Sequence, residues 1–299
     1  MRSDESFWNF WVDKGGTFTD IIARSPNNKI YTKKILSSTL ENNQDPIITG
    51  IRSILRIKKN TNIPIDRIKS INVGTTIATN ALLENKGDNT LLLTTEGFGD
   101  SLEIGYQSRP KLFDLNIKKN KMLYTKVVEV EERIDVNGKI IKKLDLKKEK
   151  QKILKVLNSQ NLGIKSIAIN LMHAWKYPNH EIQLLKLLKE IGFNEVSSGH
   201  DISPTIKFIK RGDTTVLNAY LSPIVSRDIS NLRHALFGKW DKKLDNGKLK
   251  INYMQSNGGL SSWDQYRAKD SILSGPAGGI IGAISTSQKS GFNKIISFD

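Results

Sequence analysis

An α/β fold is predicted by three observations in the 299-residue sequence. Apolar runs of strand length alternate with segments of helical period along most of the chain. Three strand-like runs open it, joined by tight turns, which makes an antiparallel start. Punctuating residues frame the helices, as Asp45-Pro46 does ahead of one and Gly192 behind another.

Taken in order, "FWNFWVD" from Phe7 reads as a strand and "TFTDIIARS" from Thr17 as a second. After "NNK", "IYTKKILSS" is the third. "DPIITGIRSILRI" is a helix with Asp45 as cap and Pro46 in its first turn. "IKSINVG" is a buried strand, "TTIATNALLENKG" a helix closed by Gly87, "NTLLLTT" a strand and "EGFGDSLEIG" a short helix. Residues 106–124 are irregular. "KVVEVEERID" and "KIIKKLD" form a hairpin around Val136-Asn137-Gly138, and 145–161 is a Lys-rich helix. "IKSIAINLMH" is a strand, "PNHEIQLLKLLKEIG" an amphipathic helix and "EVSSGHDI" a strand. A long helix from Asp213 follows, interrupted or bent near Pro223. "LKINYMQSN" is a strand, "SNGG" at Ser256–Gly259 a turn, "SGPAGGIIGAISTSQKSG" a helix and "KIISFD" a last strand.

Composition narrows the function. The chain has no cysteine, so disulfides and thiolate metal sites are excluded, and a reducing compartment, the cytoplasm, is expected. No apolar run has signal-peptide or membrane-spanning length, so no membrane association is expected. Net charge is +16, but lysines spread along the chain carry it rather than an Arg-rich stripe with aromatics. That is the pattern of solvated faces, and no nucleic-acid partner is expected. The four histidines lack ligand spacing, and no G-x-S-x-G is present.

The stretch "WVDKGGTFTDII", Trp11–Ile22, is the richest in chemistry. Two glycines interrupt a strand pair. Glycine permits positive φ and removes the Cβ that would keep a ligand away, so backbone N–H groups can face an anion. Thr17 and Thr19 add hydroxyls, and Asp13 could hold a hydrated Mg²⁺. These are the parts of a phosphate-binding hairpin. Without a Gly-Lys-[Ser/Thr] ending it is no P-loop, and without a following helix it is no dinucleotide fingerprint. By itself the stretch is equally a plain Gly-Gly turn.

"DKGGTFTD" resembles the first phosphate motif of the actin-like, sugar-kinase and heat-shock-chaperone ATPases. More narrowly it is similar to the start of the hydantoinase A and 5-oxoprolinase family. Four further stretches match that family in order: "VGTTIATNALLENKG", "TTEGFGDSLEIGYQSRPKLFDL", "RGDTTVLNAYLSPI" and "MQSNGG…SILSGPAGG". Lys14 and "FWNFWVDKGG" lean toward its 5-oxoprolinase branch. The resemblance implies an actin-like (ribonuclease H-like) fold. An N-terminal domain is expected over 7–215, a linker over 237–248 and the truncated start of a second lobe over 249–299.

It also implies ATP-dependent opening of a cyclic amide. 5-Oxo-L-proline is phosphorylated on its lactam oxygen and hydrolysed to L-glutamate, a reaction of the glutathione cycle. Gly15, Gly16, Thr17 and Thr19 would cradle ATP phosphates, and Asp13 would orient Mg²⁺ through water. Asp299 would open a second phosphate motif whose glycines are missing, so a fragment of a longer enzyme is expected. The remainder would include a hydantoinase B-like half in the same or a partner chain, with the intact enzyme homo-oligomeric. Substrate contacts are expected from Thr75, Thr76 and Asn80, Arg109, Arg211, Asp213 and Thr214 (with Thr215), and Ser274 and Gly275. Structural roles stand beside these: capping for Thr75, Thr76, Asn80 and Asp213, a surface or structural role for Arg109, and tight helix packing for Ser274 and Gly275. An ATP-dependent hydantoinase or lactamase subunit of the same family is the alternative. A non-catalytic remnant that binds a partner is another.

Overall fold

The structure, a computed structural model, describes residues 7–37, 45–58, 61–107, 113, 115–116, 119, 121–159, 162–238 and 249–298. The chain divides into two compact units, Met1–Lys86 with Ile224–Asp299, and Gly87–Pro223.

In the first unit, β1 (Trp8–Lys14), β2 (Phe18–Arg24) and β3 (Ile30–Leu36) form the predicted antiparallel meander. Helix α1 (Pro46–Leu55) begins where Asp45 accepts the N–H of Ile47 at 2.8 Å, as the Asp-Pro signal predicts. It buries Ile47, Ile48 and Ile51. Strand β4 (Ile68–Thr75) lies parallel to β1, and α2 (Ile77–Leu83) follows it. Helix α2 stops earlier than its sequence predicts. Asn85, at φ 53°, takes the left-handed conformation, and Gly87 does not cap the helix. Gly87 instead leaves room for a ring: a Cβ there would lie 2.0 Å from Tyr220.

The second unit holds a four-stranded parallel sheet in the order β10-β9-β5-β6. Its strands are β5 (Thr90–Thr95), β6 (Lys126–Val130), β9 (Ser166–Asn170) and β10 (Val196–Ser198). Every residue of β5 and β9 is buried, as a parallel sheet covered on both faces requires. One face carries α4 (Leu146–Ser159) and α5 (Asn179–Glu190), packed on Leu91, Leu93, Ile167 and Ile169. The other packs α3 (Ser101–Ile104) and the start of α7 (Phe208–Phe237) on Leu92 and Ala168.

Three expectations change here. "KVVEVEERID" is two strands, because β6 joins the sheet and only β7 (Arg133–Ile134) pairs with β8 (Ile140–Lys142). "EVSSGHDI" is a three-residue strand that passes into the single-turn α6 (Gly199–Ile202). Helix α7 starts at Phe208, so Asp213 sits inside it and caps nothing. Pro223 lies within α7, at the division between the units.

Residues beyond Pro223 belong to the first unit. Strand β11 (Lys250–Met254) lies parallel to β4, and β12 (Leu260–Ser262) closes a hairpin on it through the predicted Ser256–Gly259 turn. The sheet order is β12-β11-β4-β1-β2-β3. The segment expected to start a second lobe thus extends the sheet of the opening meander. Helix α8 (Ser274–Lys289) follows. "KIISFD" forms no strand over its described residues 294–298. Residues 239–248 of the expected linker lie outside the described residues, as do Arg109 and Asp299.

Candidate functional site

The β1–β2 hairpin closes tightly. Its last register pair is Lys14 with Thr19, and the Gly15 N–H donates to the Phe18 carbonyl at 3.0 Å. Ser37, just past β3, braces the turn: its N–H donates to the Thr17 carbonyl at 2.9 Å and its hydroxyl to the Gly15 carbonyl at 2.7 Å. The buried Thr19 hydroxyl lies 2.9 Å from Ser37 Oγ. Gly15 and Thr19 therefore spend their polar groups on the turn itself. Among the described residues, nothing accepts from the N–H of Gly16 or of Thr17, and both residues are exposed.

Neither glycine takes a positive φ, so the conformational freedom expected from sequence is not what the turn uses. Space is what it uses. A Cβ on Gly16 would lie 3.2 Å from Asn80 Nδ2, and one on Gly15 2.9 Å from the Phe18 carbonyl oxygen.

Three segments meet beside this turn. Register pairs Asp13 with Gly74 and Lys14 with Thr75, and the Thr76 N–H donates to the Lys14 carbonyl at 3.3 Å. Thr76 opens α2, and Asn80 Nδ2 donates to its hydroxyl at 3.3 Å. Buried Ser274 Oγ donates to the Thr75 carbonyl at 3.0 Å, which seats the start of α8 on the end of β4. A cleft of about 390 Å³ lies along this face. It is lined by Asp13, Asp20, Gly74, Ser274, Gly275 and Gly278, with Trp11, Ile22, Met254 and Leu260 as its apolar side. The exposed face of the sheet and a helix opening on small residues thus make one concave surface.

Asp20 was not singled out by sequence. It stands directly across from Asp13 in the β1–β2 register, on the cleft face, and also pairs with Lys34 at 2.8 Å. The alternation of β2 was the available signal, since Asp20 and Ile22 fall on the same face.

Lys14 points elsewhere. Its ammonium lies 2.6 Å from Asp228 on α7 and 3.1 Å from Asp45. Burial opposes its charge, yet Asp228 and Asp45 outweigh that and hold it above the ordinary lysine value. One cation faces two carboxylates here. Burial, with Asp45 adding to it, lifts the Asp228 carboxyl above the usual range against the pull of Lys14.

The remaining candidates belong to the second unit. Arg211 is fully buried and donates to Asn170 Oδ1 at 3.0 Å, the Leu171 carbonyl at 2.7 Å and the Thr205 carbonyl at 2.7 Å. Burial lowers its pKa, with Glu181 opposing. The Thr214 and Thr215 hydroxyls bond back to the Lys210 and Arg211 carbonyls within α7. Asp213 is exposed. Among the described residues no cluster of three or more His, Asp or Glu could hold a metal, and no helix is long and apolar enough to cross a membrane.

Both units are mixed α/β, and the first carries the glycine hairpin and the cleft. The chain belongs to the hydantoinase/oxoprolinase family: the family's N-terminal region matches residues 9–192, and its hydantoinase/oxoprolinase domain matches 211–299. It is 40% identical over 301 residues to a 5-oxoprolinase of Dictyostelium discoideum, covering 91% of this chain and 23% of that one. The crystal structure of an ATP-dependent caprolactamase from Pseudomonas jessenii superposes with a TM-score of 0.74 at 28% identity, over 95% of this chain and 41% of that one. A nucleotide-free acetone carboxylase shares the fold, with a TM-score of 0.75 at 20% identity over the same shares of the two chains. The α/β fold predicted for the family is the fold observed. The chain spans about a quarter of the length of its 5-oxoprolinase relative.

Proposed function

We propose that this chain supplies the phosphate-holding part of an ATP-dependent cyclic amide hydrolase that opens 5-oxo-L-proline to L-glutamate. The observation that carries the reading is the pair of unclaimed amides at Gly16 and Thr17. They are exposed on a turn that Ser37 braces, in the segment between Asp13 and Asp20, both of which line the cleft. Backbone donors held in place are what a transferring phosphoryl group needs, because its chemistry is positioning and charge stabilisation.

A γ-lactam resists water. ATP would transfer its terminal phosphoryl group to the lactam oxygen and leave as ADP. Water would add to the activated carbon, and the ring C–N bond would break with a proton going to nitrogen. A second water would cleave the resulting acyl phosphate to L-glutamate and inorganic phosphate. In this reading the Gly16 and Thr17 amides hold the terminal phosphates. Ser274 and Gly275 bring the start of α8 to the same cleft. Thr75, Thr76 and Asn80 fix the facing edge. Gly15 and Thr19 shape the hairpin from within.

A magnesium ion fits the residues present. Asp13 and Asp20 offer hard oxygen donors across one strand pair, and Mg²⁺ is commonly held by one or two carboxylates together with phosphates and water. Its charge would offset that of the phosphates.

The substrate choice follows the 40% identity to a 5-oxoprolinase against 31% to the alpha subunit of the caprolactamase. A hydantoinase B-like half, in the same or a partner chain, would complete the enzyme, and a cytoplasmic setting fits the reducing composition. ADP release by the complete enzyme is the test, with 5-oxoproline, hydantoin and caprolactam offered separately. Release with 5-oxoproline is expected. Release only with hydantoin or caprolactam would overturn the substrate.

A further inference from the structure

A lysine beside two glycines in a phosphate hairpin invites the role of phosphate ligand. The geometry gives Lys14 a different task. Its side chain ends between Asp45 and Asp228, with only 16% of it exposed, while its backbone lies at the mouth of the turn. Asp45 uses its other oxygen to cap α1 through the Ile47 N–H. Asp228 comes from the part of α7 in the same unit. On the backbone side, the Lys14 carbonyl receives the N–H of Thr76, and the residue after it starts the turn. One residue thereby links α1, α7, the hairpin and the entry to α2.

We propose that Lys14 is a positioning residue of the hairpin: its ammonium, locked between Asp45 and Asp228, fixes the backbone that aims the Gly16 and Thr17 amides. A side chain held at both carboxylates cannot drift without moving the strand end that carries it. Surface ion pairs contribute little, but these carboxylates are only 9% and 10% exposed, so removing one partner leaves charge stranded in a poor solvent. The inference rests on the phosphate reading of the hairpin and adds a residue that touches no phosphate.

The test uses the active enzyme with Lys14→Met, Lys14→Arg, Asp228→Asn and the Lys14→Met/Asp228→Asn double variant. A positioning residue acts through donors that matter most in the transition state. Lys14→Met and Asp228→Asn are therefore each expected to lower kcat for ATP hydrolysis about tenfold, with KM for ATP within about threefold of the parent. The double variant should fall little further than Lys14→Met alone, because both substitutions break one link. Lys14→Arg should recover most of the loss.

A phosphate ligand would behave otherwise. Lys14→Met would raise KM for ATP by about a hundredfold or more while Asp228→Asn left it unchanged, and that result would overturn the proposal. Lower melting temperatures with parental kcat and KM in all four variants would overturn it too, leaving Lys14 a scaffold residue. If Lys14→Met does not fold, Asp228→Asn carries the same test alone, because it keeps the cation beside Asp45. Gly16→Val separates this idea from the one beneath it. Full ATP turnover in that variant removes the phosphate reading itself, whatever Lys14 does.

Discussion

Arg211 shows how a residue inside a conspicuous motif can be spent on structure. Its guanidinium ties β9 and the segment before α7 together through three neutral oxygens. Arg211→Met would leave the Asn170 and Leu171 acceptors buried without that donor, while the Thr205 carbonyl lies on an exposed residue. Stability should fall by about 3 kcal/mol or more in urea denaturation, with any surviving enzyme near its parental KM for the cyclic amide. Parental stability with a raised KM would restore the substrate role. His200 gives a pH signature. Its Nδ1 lies 2.7 Å from Glu181 Oε2, and that bond raises its pKa above 6.5 against burial. A raised folded-state value means the contribution is complete below the unfolded pKa and is lost as pH rises through the folded one. The urea midpoint should therefore decline as pH rises above about 6.5, and His200→Gln should flatten that decline. A midpoint that rises with pH in the parent alone would contradict the pairing.

At the scale of elements, burial decided what could be read. "NTLLLTT" announced β5 because a strand covered on both faces needs an unbroken apolar run. Leu93, fully buried between neighbouring strands, is the place to test it. Leu93→Ala should cost about 2–5 kcal/mol, with amide exchange accelerating across β5, β6 and β9. Protection unchanged in those strands would show that the sheet does not unfold as a unit. The same reasoning explains the misread ends. Gly87 looked like a helix cap, but the ring of Tyr220 is what demands a glycine there. The start of α7 was hidden because its first turn carries Lys210 and Arg211 directly after Lys207, and nothing local tells that Arg211 is buried. β7 and β8 were legible as a hairpin from Asn137-Gly138, yet the length of β6 depended on pairing with β5, a contact distant in sequence.

At the scale of the whole molecule, the family and the α/β fold were legible because motifs recur in order along the chain. Of the candidate site, only which residues share a neighbourhood can be compared with the sequence reading. Asp13, Gly16 and Thr17, Thr75, Thr76 and Asn80, and Ser274 and Gly275 belong to one unit; Asn80 stands beside Gly16 and Thr76, Ser274 bonds to Thr75, and Asp13, Ser274 and Gly275 line the cleft. Which hydrogen bonds close that turn could not be read from spacing, and they commit Gly15 and Thr19 while leaving Gly16 and Thr17 open. The direction of the Lys14 side chain was equally out of reach, because its partners lie 31 and 214 residues away in sequence. The central claim is that two backbone amides receive the nucleotide's terminal phosphates. A crystal structure of the enzyme with a non-hydrolysable ATP analogue tests it most directly. Phosphate oxygens within about 3 Å of the Gly16 and Thr17 nitrogens are predicted. An analogue bound with its phosphates elsewhere, and those two amides facing solvent, would contradict it.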